Sequence, residues 1–336
     1  MDKRRALVLI DAYSQIYRAF YAIRMLTNSR GEPVNAAFVF TKFLLQLEKK
    51  FPSAYGAMLF DCGKVAFRLE LNPEYKANRP PMPDPLKQQI PLIKEIAEAF
   101  GWELMQHEGY EADDLIGGMT LEYDDMPVEI VSSDKDLSQL IDERVSMLIP
   151  SGSSGGFEIR DTAAVREKFG VAPELIVDYL ALLGDASDNI PGVPGIGPKR
   201  AVEILESFGP ADAWLNDPSI LDPQSSSGKK LLPELDTVRR NRELIRLKTV
   251  LPDGFCGKEP PKRREPDWKK ISGICQENQF KSILKELPQV EFAVEEVVEE
   301  AVDFDDLFAF AAAKNSAEKK EIPAIQEPEE IQGELF

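Results

Sequence analysis

The sequence predicts an α/β protein with a mostly parallel central sheet flanked by helices, followed by a helical domain that carries a helix–hairpin–helix. Apolar runs alternate with segments of helical spacing through residues 1–150, which is the pattern of strand–helix–strand units. Three of those runs finish in or beside an aspartate. Beyond residue 161 the helical spacing dominates, and it is broken by the glycine-punctuated text IPGVPGIGPKRA at 190–201.

Taken in order, residues 5–11 (RALVLID) are leucine-rich and β-branched and read as a strand closed by Asp11. Residues 14–26 and 35–50 carry apolar residues at helical intervals. YGAMLFD at 55–61 is a second strand, closed by Asp61. A proline-rich start, PPMPDP, leads into an amphipathic helix at 84–100. EADDLIGGMTLEY at 111–123 opens on acids and continues as a helix. VEIVSSD at 128–134 is a third strand ending in an acid, RVSMLI at 144–149 a fourth, and SGSSGG at 151–156 a flexible turn. Helices are expected at 161–169, 173–183, 198–207 and 227–247. GKEPPKRREPDWKK near 255 reads as a linker, and 272–287 as a last helix. The expected division is an α/β domain at 1–170, a helical domain at 171–255, a linker and helix at 256–290, and an acidic, disordered tail at 291–336.

Composition narrows the function. With 336 residues, 43% of them hydrophobic, the chain can bury a substantial core. No apolar stretch reaches the ~18 residues of a membrane span, and charge at Asp11 arrives too early for a secretion signal. Three cysteines without metal-type spacing (Cys62, Cys256 and Cys275) suit a reducing cytoplasm. The single histidine, His107, excludes chemistry that needs several. A net charge of −18 looks wrong for a nucleic-acid binder, but residues 291–336 hold 14 acidic and 3 basic residues. Much of what remains sits in the acidic motifs at strand ends, so neither source describes a ligand-facing surface.

Those motifs carry the chemistry. GYEADD supplies Glu111, Asp113 and Asp114; SSDKD supplies Asp134 and Asp136; GDASDN supplies Asp185 and Asp188. Each alone also fits a helix cap or polar turn. Together with Asp11 and Asp61 they make nine carboxylates that a parallel sheet would gather at its carboxyl edge, where ligands of open α/β sheets bind. Oxygen donors without His or Cys suit hard ions such as Mg²⁺ or Mn²⁺. An ion pair about 3.5–4 Å apart can activate water and stabilise the leaving oxygen in phosphodiester hydrolysis.

Two further features suit a polyanion. In the hairpin, Gly192, Gly195 and Gly197 leave backbone N–H groups open to a phosphate, with Lys199 and Arg200 beside them, and such carbonyls also offer a seat to K⁺. Downstream of Asp61, Lys64, Arg68, Lys76 and Arg79 form a basic run in which Tyr75 could stack on a base; a solvated loop is the plainer alternative.

Taken together, VLID with YRAF, LTNSRGEP, LFD, FRLELNPEYKANRPPMP, GYEADD, SSDKDLSQL and DYLALLGDASDNIPGVPGIGPKRA resemble the 5′-nuclease domain of bacterial DNA polymerase I, within the flap endonuclease family. The resemblance covers about residues 5–290. It implies a PIN/resolvase-like α/β domain and a 5′–3′ exonuclease or flap endonuclease that acts as a monomer in replication and repair. Its DNA substrates would carry 5′ flaps, nicks or RNA primers. It implies a tighter metal site of Asp61, Glu111, Asp113 and Asp134 with Asp11 close by, and a second of Asp136, Asp185 and Asp188, with Asp114 behind them. It places Lys76 and Arg79 on a helical arch at about 72–90, steering phosphate, and Arg18 near the site. Ala12, Phe38 and Val39 depart from the family pattern and are expected to crowd the DNA entrance. Too few residues follow 290 for a polymerase, so a free-standing nuclease is expected. The ending QGELF resembles sliding-clamp peptides through Gln332, Leu335 and Phe336. A catalytically weak branched-DNA adaptor and a ribonuclease of the related PIN class are the alternatives.

Overall fold

The computed structural model describes residues 6–63, 65–151 and 156–288. The expected tail and the clamp-like residues Gln332, Leu335 and Phe336 lie outside the described residues. Six strands form one sheet: β1 (Leu7–Asp11), β2 (Tyr55–Leu59), β3 (Glu103–Met105), β4 (Val128–Val131), β5 (Val145–Ser151) and β6 (Gly156–Arg160). Their order is β3-β2-β1-β4-β5-β6, parallel except for β6, which runs antiparallel to β5. β1 leads to β2 on one side, while β4 lies on its other side. The strand order therefore reverses at β1, and the crevice above the β1 and β4 ends is where a ligand fits such a sheet.

The α/β part carries α1 (Ala12–Ala22), α2 (Asn35–Lys50), α3 (Ala66–Leu71), α4 (Asp84–Lys87), α5 (Ile90–Ala99), α6 (Ala112–Glu122) and α7 (Thr162–Phe169). The single helix expected at 84–100 is two, because Pro91 in the first turn of α5 has no N–H to continue the ladder from α4. Residues 72–80 form consecutive turns, so the expected arch is a folded loop between α3 and α4.

The sheet's period of two sorts its side chains into two cores. Leu7 and Leu9 of β1 pack with α6 and, continuously, with the helical domain; Val8 and Ile10 face α1, α2 and α5. Each fully buried Leu or Ile contributes roughly 1.5–3 kcal/mol. Ala12, Phe38 and Val39 belong to the second core, with Phe38 edge-on to Phe280 at 5.3 Å. They are buried, and none of them lines the cleft described below, so they do not crowd an entrance.

The helical part holds α8 (Ile176–Leu183), the two-residue strands β7 (Gly184–Asp185) and β8 (Ile190–Pro191), α9 (Pro198–Phe208), α10 (Ala211–Asn216), α11 (Ser226–Leu231) and α12 (Leu235–Ile245). The chain then returns to the α/β layer. Residues 261–267 lie along the sheet's rim, where the Pro261 carbonyl accepts from Gly56 N–H and the Arg263 N–H donates to Ala54. Arg263 pairs with Glu48 at 2.7 Å and lies 3.9 Å over the Trp102 ring. α13 (Trp268–Glu277) and α14 (Lys281–Glu286) complete the second core through Ile271, Cys275 and Ile283. The text read as a linker is thus a strap built into the fold. Among the described residues, no helix is long and apolar enough to cross a membrane.

Candidate active site

Each acid is placed by the end of an element. Asp11 closes β1 and caps α1: one oxygen accepts from Ser14 N–H (3.1 Å), the other from the Ser132 hydroxyl (2.8 Å). Asp61, just past β2, accepts from Ala112 N–H at 2.8 Å and so binds the strand end to the start of α6. Glu111 caps α6 and Asp113 lies in its first turn. Asp134 follows β4 and accepts from Asp136 N–H (2.9 Å). Asp185 ends β7 and accepts from Ser187 N–H (2.8 Å). Asp188 accepts from the Tyr75 hydroxyl (3.2 Å) and from the Arg79 guanidinium.

Seven of the nine expected acids line one cleft of about 430 Å³: Asp11, Asp61, Glu111, Asp113, Asp134, Asp136 and Asp188. Leu244, Ile245 and Leu247, at the end of α12, close one wall, so both domains build the cleft. Concentrating buried like charges disfavours ionisation. Burial, and then Asp61, push Asp11 up to about 7. Burial, and then Asp134, push Asp136 up to about 8. Asp113 is raised well above the usual range by burial and by Asp11, and Asp134 is raised chiefly by burial. Asp185 goes the other way: burial opposes it, but the Lys135 ammonium at 2.7 Å and Ser187 bring it below the ordinary value.

The acids converge without closing. Among the described residues, no three His, Cys, Asp or Glu side chains stand close enough to hold one ion. Basic groups stand among them instead. Lys76 Nζ is 2.7 Å from Glu111 and 3.8 Å from Asp188, Arg79 holds Asp188, and Lys135 holds Asp185. The donor set still fits a hard divalent ion. It is all oxygen, four of its carboxyls have raised pKa values for want of positive charge, and one buried oxygen, Oδ1 of Asp136, has no hydrogen-bond partner.

Three expected placements differ. Asp114 is fully buried and turned away from the cleft, accepting two hydrogen bonds from Arg68 at 2.7 Å and one from Lys248 N–H at 2.8 Å. Tyr75 is 9% exposed, with its hydroxyl on Glu111 and Asp188, so its ring is not free to stack on a base. Arg18 is not among the residues that line the cleft. His107 packs edge-on against Tyr110 at 5.4 Å, outside the cleft.

The hairpin at 190–197 forms as expected between α8 and α9. Gly192 passes so close to α8 that a Cβ would sit 2.1 Å from the Leu183 carbonyl oxygen. Gly195 has φ +72°. Gly197 caps α9 without a side-chain partner, and nothing lies within 4 Å of where its Cβ would be, so the first N–H groups of α9 face open space. Lys199 is exposed, Arg200 reaches Ser226 at 3.2 Å, and Lys230 Nζ donates to Gly195 O at 2.6 Å.

With this geometry in view, residues 6–170 match the family model of the 5′-3′ exonuclease N-terminal resolvase-like domain, and residues 171–266 that of the 5′-3′ exonuclease C-terminal SAM fold. The chain belongs to the 5′-3′ exonuclease family. A 5′-3′ exonuclease of Aquifex aeolicus is 37% identical over 288 residues, 85% of this chain and 96% of that one. The thermostable DNA polymerase I of Thermus aquaticus is 36% identical over 292 residues, 86% of this chain but 34% of the polymerase. The chain thus spans about a third of that polymerase's length. Among solved structures, the phage T5 5′-exonuclease with bound zinc superposes with a TM-score of 0.61 at 22% identity, covering 84% of this chain and 99% of that one. The catalytic core of Rad2 in complex with DNA substrate gives 0.57 at 15% identity, covering 85% and 93%. At such identities these two structures speak for the fold alone.

Within this exonuclease fold, sequence reasoning missed Tyr13, Ser14, Tyr17 and Met82, which line the cleft, and Ser132, which holds Asp11. Tyr13 and Tyr17 occupy successive turns of a helix that opens on Asp11, and that spacing could have flagged them.

Proposed function

We propose that the chain hydrolyses phosphodiester bonds near the 5′ ends of branched or nicked DNA, removing flaps and RNA primers in replication and repair. The observation that carries this reading is the meeting, in one cleft, of acids drawn from the ends of β1, β2 and β4, the start of α6 and the β7–β8 loop. Asp61, Glu111, Asp113 and Asp134, with Asp11, would hold one Mg²⁺ or Mn²⁺. Asp136, Asp185 and Asp188 would hold another. Bound there, such ions would supply an activated water and charge for the leaving oxygen.

The chain's own residues do the rest. Lys76 and Arg79 offer positive charge to the scissile phosphate, on a loop whose hydrogen bonds to residues 186–189 keep it over the cleft. The hairpin glycines, the N-terminus of α9, Lys199 and Arg200 would hold the duplex by its backbone, without reading bases. The reading includes no K⁺ at the hairpin, because the Lys230 ammonium already meets the Gly195 carbonyl.

The test is cleavage of a 5′-labelled flap, with and without Mg²⁺. The expected outcome is Mg²⁺-dependent cleavage that leaves a 5′-phosphate and a 3′-OH. Asp188→Ala should abolish cleavage while sparing binding. Full activity in that variant, or cleavage of RNA but never of the DNA flap, would overturn the reading.

A further inference from the structure

Arg68 belongs to the basic run that the sequence presents as solvated, yet its side chain is 2% exposed. Its donors meet three separate pieces of the fold. Nη1 and Nη2 clasp the two oxygens of Asp114 at 2.7 Å, Nη1 also reaches Oε2 of Glu111 at 3.1 Å, and Nε donates to the Leu244 carbonyl at the end of α12 at 3.1 Å. Oδ1 of Asp114 accepts in addition from Lys248 N–H at 2.8 Å. A two-pronged Arg–carboxylate pair is fixed in direction as well as distance, and burial removes the water that would loosen it.

The consequence falls on Glu111. Its Oε2 is held by Arg68 and by the Tyr75 hydroxyl at 3.2 Å, while Oε1 meets only the ammonium of Lys76 among the printed contacts. One oxygen is anchored and the other is presented to an exchangeable cation. The anchor is in turn seated against Leu244 and Lys248, which join the helical domain to the strap.

We propose that Arg68 is a positioning residue: by fixing Glu111 it sets the affinity of the cleft for a divalent ion, and through Leu244 and Lys248 it makes that affinity depend on the seating of the helical domain. This rests on the metal-dependent nuclease reading above. Groups that orient metal ligands typically change affinity by about 10–100-fold when altered.

The experiment is a Mn²⁺ titration of the DNA-free protein, followed by the paramagnetic resonance of the free ion. Arg68→Lys keeps the charge and loses the fork, and it should bind Mn²⁺ at least tenfold more weakly. Arg242→Lys is the control. It weakens another buried pair, with Asp178, away from the cleft, and should lower Tm while leaving Mn²⁺ affinity within twofold. Equal affinity in wild type and Arg68→Lys, or an equal loss in both variants, overturns the proposal. A wild type that binds no Mn²⁺ overturns the nuclease reading with it, so the two failures are told apart. Should Arg68→Lys not fold, hydrogen exchange on the wild type decides. Mn²⁺ should slow exchange of the Lys248 amide at least tenfold, and an unchanged rate overturns the proposal.

Discussion

The acidic cleft and the hairpin at 190–197 are both built from element ends, but from opposite materials. The cleft gathers side-chain charge against its own stability, as the raised values of Asp11, Asp113, Asp134 and Asp136 record. The hairpin gathers backbone: Gly192 and Gly195 fix the turn, and Gly197 leaves the first amides of α9 clear. A site of the first kind should become more stable when a working group is removed. A site of the second kind should lose shape and function together.

The largest effect tests the first half of that contrast. Asp136→Asn should reduce flap cleavage by roughly 10²–10³-fold. In metal-free protein at pH 8 it should also raise Tm by roughly 2–4 °C. The pH dependence follows the same sign. Asp11 and Asp136 titrate at about 7 and about 8 in the fold, against 3.8 ordinarily, so between those limits the folded chain binds protons that the unfolded chain has released. Their contribution is therefore present at acid pH and lost as pH rises through 7–8, and Mg²⁺ should restore it. Melting curves from pH 5 to 8.5, with and without Mg²⁺, check this. A Tm from these groups that rises with pH would break the contrast.

The second effect separates the glycines. Gly192→Ala drives a methyl into the Leu183 carbonyl and should cost about 1–3 kcal/mol of stability, with flap binding weakened about tenfold or more. Gly197→Ala meets nothing and should leave stability within about 0.5 kcal/mol. Any loss of binding it shows then reports where the DNA backbone runs. The smallest effect is Lys199→Ala. It should leave Tm unchanged and lower the slope of log affinity against log salt by about one.

Much of this was legible in the text. β1, β2 and β4 announce themselves by apolar runs that end near acids, and the hairpin by its glycine spacing. What was hidden depended on distant partners. Arg68 looks solvated beside Lys64, Lys76 and Arg79, and only Asp114, brought close by the fold, buries it. The strap reads as a linker because backbone pairing, a polar mechanism, attaches it to the rim. β3 is three residues long, and β6 carries two exposed positions where an alternating core strand would bury one, so neither offers a period to detect. The interleaving of Lys76 and Arg79 with the acids was also invisible, since sequence shows both charges but not which cation stands between which anions.

The strap gives the helical domain a second tether. A module joined at one end can wander by the length of its hinge, but one whose chain leaves and re-enters the same scaffold is a closed handle. Each attachment shortens the search of the other, and the wall formed by Leu244, Ile245 and Leu247 stays at high local concentration over the carboxylates even when it lifts. Severing the backbone near residue 256 would leave every catalytic atom in place while turning that handle into a loose arm.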